Sequence, residues 1–333
     1  MQFSIKVGSL SAFALGLFAT FGASPAAAQA TRTWVAGTGD DANPCSRTAP
    51  CQTFAGAMVK TAAGGEIDCI EPGGFGPVTI SKSIAIICDN TEAGVIPTGP
   101  GSVITVNAGA TDVVYLSGLD IEGQGTGNGQ NGVRFIAGGT LHIEHSVIRG
   151  FNAASGWGVL FQPSGASQLT ITNTVIADNG AGGISGGIQI APTGAGGAAN
   201  VALRDVRIQN NNGVGLRIDS TGNTGSGISV SLENVQSTGN AQGVSVLNPP
   251  NTTTIGVMIV GSTIALNSSV GLFANGGAVT VRVSDTEITG NSLGVNALGG
   301  STVQSYGDNN LDGNPASTSA NNGAFTGAVT PKK

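Results

Sequence analysis

An asparagine returns at one fixed place in the second half of this chain, and that return constrains the fold more than any other feature. Asn179, Asn211, Asn240, Asn267 and Asn291 each lie three residues after an anchor position, held by Ile176, Ile208, Ser237, Ile264 and Ile288. A stretch of alternating apolar and polar residues precedes each anchor. Earlier copies centre on Ile121 and on Ile148, the latter with Phe151 where the asparagine would stand, and a weaker last copy sets Leu311 before Asn314. From Ile121 to Ile288 the steps between anchors are 27, 28, 32, 29, 27 and 24 residues. A glycine-containing step then leads to a second apolar stretch in every unit, as at 133–135, 159–161, 188–190, 216–218, 244–246, 271–273 and 295–297.

Alternation at period two marks strands rather than helices. A repeat of this size buries only a thin slice of core, so successive coils must stack to complete one. Equivalent residues then lie one strand spacing apart, roughly 4.8 Å. The anchors become an internal aliphatic ladder and the asparagines a ladder at a bend, where Asn tolerates left-handed backbone and bonds to nearby peptide groups. Stacked amides can also bond to one another along the axis. Length variation falls in loops such as 192–200 and 220–227. The expected fold is all-β, a right-handed parallel β-helix solenoid over 65–314.

The ends differ from the repeat. Lys6 is the only charged residue among the first 31, an apolar run spans 10–21, and small residues follow. This pattern predicts a signal peptide over 1–28 and hence export to the periplasm, cell surface or medium. The apolar run is too short to cross a membrane. Residues 29–64 are read as an amino-terminal segment with a short capping helix over 53–62 that ends at Gly64. The first strand is placed at 66–70. Residues 315–333, mostly small and polar, form a loose cap or flexible tail.

Composition narrows the partners. Glycine is 55 of 333 residues without a three-residue period, charged residues are 10%, and the formal net charge is −6. No basic stripe suits nucleic acid, and no segment predicts membrane insertion. Cys45, Cys51, Cys69 and Cys88 are an even set in an exported chain, so disulfides are expected. Three pairings are possible. The favoured one joins Cys45 to Cys51 across a short loop and Cys69 to Cys88 between adjacent strands.

Residues 50–54 (Pro-Cys-Gln-Thr-Phe), 64–67 (Gly-Gly-Glu-Ile) and 71–84 resemble the opening of secreted bacterial proteins of the pectin lyase-like β-helix superfamily. With the repeat, the resemblance spans roughly residues 50–314. It implies the β-helix fold. The superfamily includes polysaccharide lyases, glycoside hydrolases, esterases and non-catalytic surface proteins, so membership does not choose a chemistry. Hydrolytic relatives use clustered aspartates, whereas the only Asp-Asp pair here, Asp40 and Asp41, precedes the repeats. Lyase relatives use acidic calcium ligands and a basic residue, and no tight acidic cluster accompanies an arginine in the coils. No metal site or cofactor is expected; Ca²⁺ held by scattered carboxylates and carbonyls is the open alternative, without a dedicated set of ligands.

The best cluster that can be built from the coils joins Glu122, His142, Glu144 and Arg149 as candidate catalytic residues, with Asp120 and Trp157 as ligand-binding candidates. Inward Leu141 and Ile143 turn His142 and Glu144 outward, and Glu122 and Arg149 share a register. Acids could bond sugar hydroxyls and the indole could stack on a ring. The same residues also suit a surface ion pair, a solvated histidine and a packed tryptophan. The residues therefore favour an exported, non-enzymatic β-helix that is surface-associated or binds polysaccharide or a cell-surface glycan. The alternative is a lyase or glycoside hydrolase acting on an acidic polysaccharide, and the third reading is a structural part of an exported assembly.

Overall fold

The computed structural model describes residues 1–4, 29–125, 129–249, 253–314, 322–327, 329 and 331. The core of the expected signal peptide, 5–28, and residues 315–321 of the expected tail lie outside them.

The described chain winds into a parallel β-solenoid of the right-handed type. Each coil contributes one strand to each of three sheets, of eleven, ten and nine strands among the described residues. Neighbours within a sheet come from successive coils, and every strand pairing is parallel. Sheet 1 includes Thr140–Glu144, Ala166–Thr172, Ala198–Arg204, Ile228–Glu233, Ile255–Val260 and Val279–Ser284. Sheet 2 carries the short strands Leu119–Glu122, Val147–Arg149, Val175–Ala177, Arg207–Gln209 and their successors. Sheet 3 includes Trp157–Phe161, Gly186–Ile190, Val214–Asp219 and Gln242–Leu247.

The anchors stack as the spacing requires. Ile121, Ile148, Ile176, Ile208, Ser237, Ile264, Ile288 and Leu311 are consecutive partners in sheet 2. All but Leu311, which is partly buried, are closed off from solvent. Ser237 is the polar member, and its hydroxyl donates to the Gly243 carbonyl at 2.9 Å.

The asparagine ladder follows at the bend into sheet 3. Asn179, Asn211, Asn240, Asn267, Asn291 and Asn314 each donate from Nδ2 to Oδ1 of the next asparagine, at 2.8–3.2 Å. Each Nδ2 also donates to the carbonyl of an anchor in the preceding coil, such as Ile148, Ile176 or Ile208. Where the left-handed backbone falls differs from the sequence expectation. It belongs to the residue before each ladder asparagine: Asp178, Asn210, Gly239, Leu266, Gly290 and Gly313 have φ between 55° and 69°. The asparagines themselves bind the coils together from the interior, all at least 90% buried.

A glycine column packs against this ladder at Gly158, Gly187, Gly215, Gly243, Gly271 and Gly294. A Cβ on Gly243 would stand 2.5 Å from the Gly271 carbonyl oxygen, 2.6 Å from Ile264 Cγ2 and 2.8 Å from Asn267 Nδ2. Close approach of side chain and backbone, rather than unusual φ, fixes glycine at these positions.

The amino end departs from the sequence reading in two ways. Ala30–Val35 is a strand, the outermost of sheet 1, paired with Thr61–Cys69. The helix is only Phe54–Met58, because Thr61 onward joins the sheet and fixes extended backbone where a longer helix was expected. The Thr53 side chain caps it by accepting from the Gly56 amide. Phe54, Ala57 and Met58 close the core, with the Phe54 and Phe75 rings 5.0 Å apart. Of the Asp-Asp pair, Asp41 serves this cap: it accepts from the Gln52 and Thr53 amides and the Thr53 hydroxyl. Burial pushes its carboxyl pKa up, but those hydrogen bonds outweigh burial and hold it below the usual value.

Disulfides join Cys45 to Cys51 and Cys69 to Cys88, the favoured pairing. The first secures a loop on the edge of Ala30–Val35, where Trp34 donates to the Cys45 carbonyl and Ala36 to that of Cys51. At the carboxyl end Asn322 terminates the ladder, accepting from both nitrogens of Asn314. Phe325 packs against the core, and Thr326 donates to the Val303 carbonyl.

Candidate functional site

The solenoid separates the expected cluster into two groups on different faces. Asp120 and Glu122 project from sheet 2, and Arg149 from the next strand of that sheet. Arg149 Nη2 lies 2.9 Å from Asp120 Oδ2 and 3.3 Å from Glu122 Oε2, while its Nε donates to Asp120 Oδ1 at 3.2 Å. The bond to Asp120 is the main cause of a raised guanidinium pKa, against the opposing effect of partial burial. All three side chains are about 40% exposed. With its charge shared between two carboxylates, this triad acts as a surface clasp between coils.

His142 and Glu144 lie in the same coil as Arg149 but on sheet 1. The chain turns between the two faces at His145, whose φ is 46°. His142 is the strand partner of Tyr115, with ring centroids 5.9 Å apart. Glu144 Oε2 accepts from the Tyr115 hydroxyl at 2.5 Å. That bond, aided by burial and the glutamate charge, pushes the Tyr115 pKa up to about 12.

Trp157 overturns the expectation of a ring available for stacking on sugar. It is 3% exposed, because it shares inward parity with Val159 and Phe161 in sheet 3. Its backbone amide donates to Asn131 Oδ1.

A shallow trough of about 440 Å³ runs instead along the outer face of sheet 1. One column of its lining is Thr170, Ala202, Ser231, Met258 and Arg282, partners in successive coils. The neighbouring column is Gln168, Asn200, Ser229 and Gly256. The first column continues past Thr170 to His142 and Tyr115. Alternation explains why these side chains face out: Leu169, Val201, Val230 and Val257, between them, are buried. Small residues at Ala202, Ser231, Ser229 and Gly256 recess the floor. Sequence reasoning missed the trough, although coils aligned on their asparagines place these small residues side by side.

Arg282 is exposed and makes no ion pair among the described residues. Arg204, one residue pair further along the strands, is held by Glu233 at 2.9 Å. Among the described residues, no group of three or more His, Cys, Asp or Glu is arranged to hold a metal ion.

No protein-family profile matches the chain, and no curated protein is similar to it in sequence. Similarity appears in three dimensions. A pectate lyase, Pel9A, superposes with a TM-score of 0.65 at 17% identity, over 88% of this chain and 83% of that one. A rhamnogalacturonan lyase superposes with a TM-score of 0.50 at 14% identity, over 78% of this chain and 76% of that one. Both likenesses show the fold alone: a parallel β-helix, which the repeat and the resemblance of the opening residues lead one to expect.

Proposed function

We propose that this chain is an exported β-helix that engages polysaccharide along the outer face of sheet 1. The observation that carries the reading is the trough, whose hydroxyl, amide and small side chains repeat coil by coil along the solenoid axis. Hydroxyls and amides can bond sugar hydroxyls, and a recessed floor lets a sugar ring approach the backbone. Two disulfides support export, since such bonds persist in oxidising compartments. The residues before Gln29 fit a secretory leader, and no described helix is long and apolar enough to cross a membrane.

A second reading is cleavage by β-elimination. The similarity to two lyases favours it over a purely non-enzymatic scaffold. In such a step the proton beside a sugar carboxyl group passes to a base. A carbon–carbon double bond forms, the glycosidic carbon–oxygen bond breaks, and the leaving oxygen takes up a proton. Arg282 is the charged side chain in the trough that could hold the carboxyl group; Thr170 and Ser231 would line the chain beside it. Glu122, His142, Glu144 and Arg149 remain variants to test for turnover, and Asp120 for binding.

The test pairs affinity electrophoresis on a polysaccharide panel with ultraviolet absorbance of unsaturated products. Binding supports the first reading. Products that disappear in Arg282→Ala support the second. Failure to retard on any polymer would refute both.

A further inference from the structure

We infer that the trough on sheet 1 selects an uncharged polysaccharide, laid along the solenoid axis with about one sugar per coil, over a polyuronate. The inference rests on the reading above, that this face engages polysaccharide.

Spacing makes the comparison direct. Coils repeat at roughly 4.8 Å, and a sugar in an extended chain advances by a similar distance. Each sugar therefore meets the same column position in the next coil, and the order of side chains down a column reports what each sugar must carry. A polyuronate presents a carboxylate at every step and needs cations at matching steps. The column offers Thr170, Ala202, Ser231 and Met258 before its single cation, Arg282.

The other arginines facing out from sheet 1 are committed. Arg204 is paired with Glu233 at 2.9 Å, and Arg32, near the amino end, lies between Glu66 and Asp68. Glu144 adds negative charge toward the Tyr115 end of the same face, and the chain as a whole carries a formal charge of −6. A polyanion here would bring carboxylates near Glu144 and Glu233 and strip water from groups left without partners, which is unfavourable.

Uncharged sugars meet no such conflict. Their hydroxyls can bond to Thr170, Asn200 and Ser231, and the apolar face of a ring can rest on Ala202 and Met258. At the far end Tyr115 and His142 continue the column with two rings. The bond from Tyr115 to Glu144 fixes the first ring in place, so ordering it on binding costs little side-chain entropy.

Fully methyl-esterified polygalacturonate and the same polymer after de-esterification differ in charge on one backbone. We expect the full-length mature protein to bind the ester roughly tenfold or more tighter than the acid. Binding of the ester should change little between low and high salt, since screening acts on charge pairs. Tighter binding of the acid form, or affinity that collapses with salt, overturns the inference but leaves the polysaccharide reading standing. Binding of neither form overturns the inference, and failure across the whole polymer panel overturns the polysaccharide reading as well. Ser231→Trp, an exposed position whose filling does not disturb the core, should abolish binding; unchanged affinity would put the polymer elsewhere and sink the inference.

Discussion

Asn211 and Asn240, one coil apart, are joined twice through a single oxygen: Asn240 Oδ1 accepts from Asn211 Nδ2 at 2.9 Å and from the Asn211 backbone amide at 3.0 Å. Because both asparagines are buried, the side chain does for the bend what strand ladders do for the faces. Asn240→Ala would leave the Asn211 backbone amide without its side-chain acceptor and would take one bond each from Asn211 Nδ2, the Ile208 carbonyl and Asn267 Oδ1. We expect a loss of roughly 2–4 kcal/mol, read from the urea midpoint, since unsatisfied buried groups retain their desolvation penalty. A loss below about 0.5 kcal/mol would mean that water replaces the amide.

Glycine positions separate into crowded and open ones. Gly243→Ala would press a methyl group onto the Gly271 carbonyl, Ile264 and Asn267. It should cost about 1–3 kcal/mol through overpacking. Gly256→Ala serves as the control, because nothing lies within 4 Å of its Cβ position. Equal melting temperatures for the two variants would contradict the packing described at the bend.

Ser237 interrupts the aliphatic ladder between Ile208 and Ile264. Neighbouring coils seat an isoleucine methyl against the glycine column, as Ile208 does at Gly187. Ser237→Ile should therefore stabilise the solenoid by about 1 kcal/mol through added apolar burial. Denaturant titration decides the sign. Destabilisation would show that the hydroxyl bond to Gly243 outweighs the filled space.

Tyr115 provides a pH test. Its folded pKa, about 12, stands above the ordinary tyrosine value of 10.0 because its hydroxyl donates to the Glu144 carboxylate. A raised pKa means that the neutral phenol favours the folded state. This contribution is complete below the unfolded value near 10 and is lost as pH rises through the folded value. Spectrophotometric titration should show a tyrosine ionising late, moving to lower pH in Glu144→Gln. No movement in that variant would remove the glutamate as cause.

The solenoid was legible because its signals lie at fixed spacing within one strand or bend. The anchors, the asparagines and the cysteine pairs need only neighbouring coils in register, and Asp68 beside Ile87 carries Cys69 to Cys88. The cluster of Asp120, Glu122, His142, Glu144 and Arg149 was misread because adjacency in sequence does not say which side of a bend a strand occupies. A single left-handed residue, His145, puts Glu144 and Arg149 on different sheets. Parity likewise withdrew Trp157 into the interior. The trough left little trace because its content is the smallness of Ala202, Ser231 and Gly256, which matters only when coils are laid side by side.

A stack built on one repeating register has no natural length. Each coil presents the next with the same bonding pattern, so its growth rule contains no instruction to stop. Asn322 supplies that instruction. It gives the last ladder amide its acceptor from a segment folded back over the end, and its own Nδ2 turns aside to Asp312. Without such a terminator, the final coil would offer a second molecule the invitation it offers a further coil of its own, and the chain would become the first subunit of a filament.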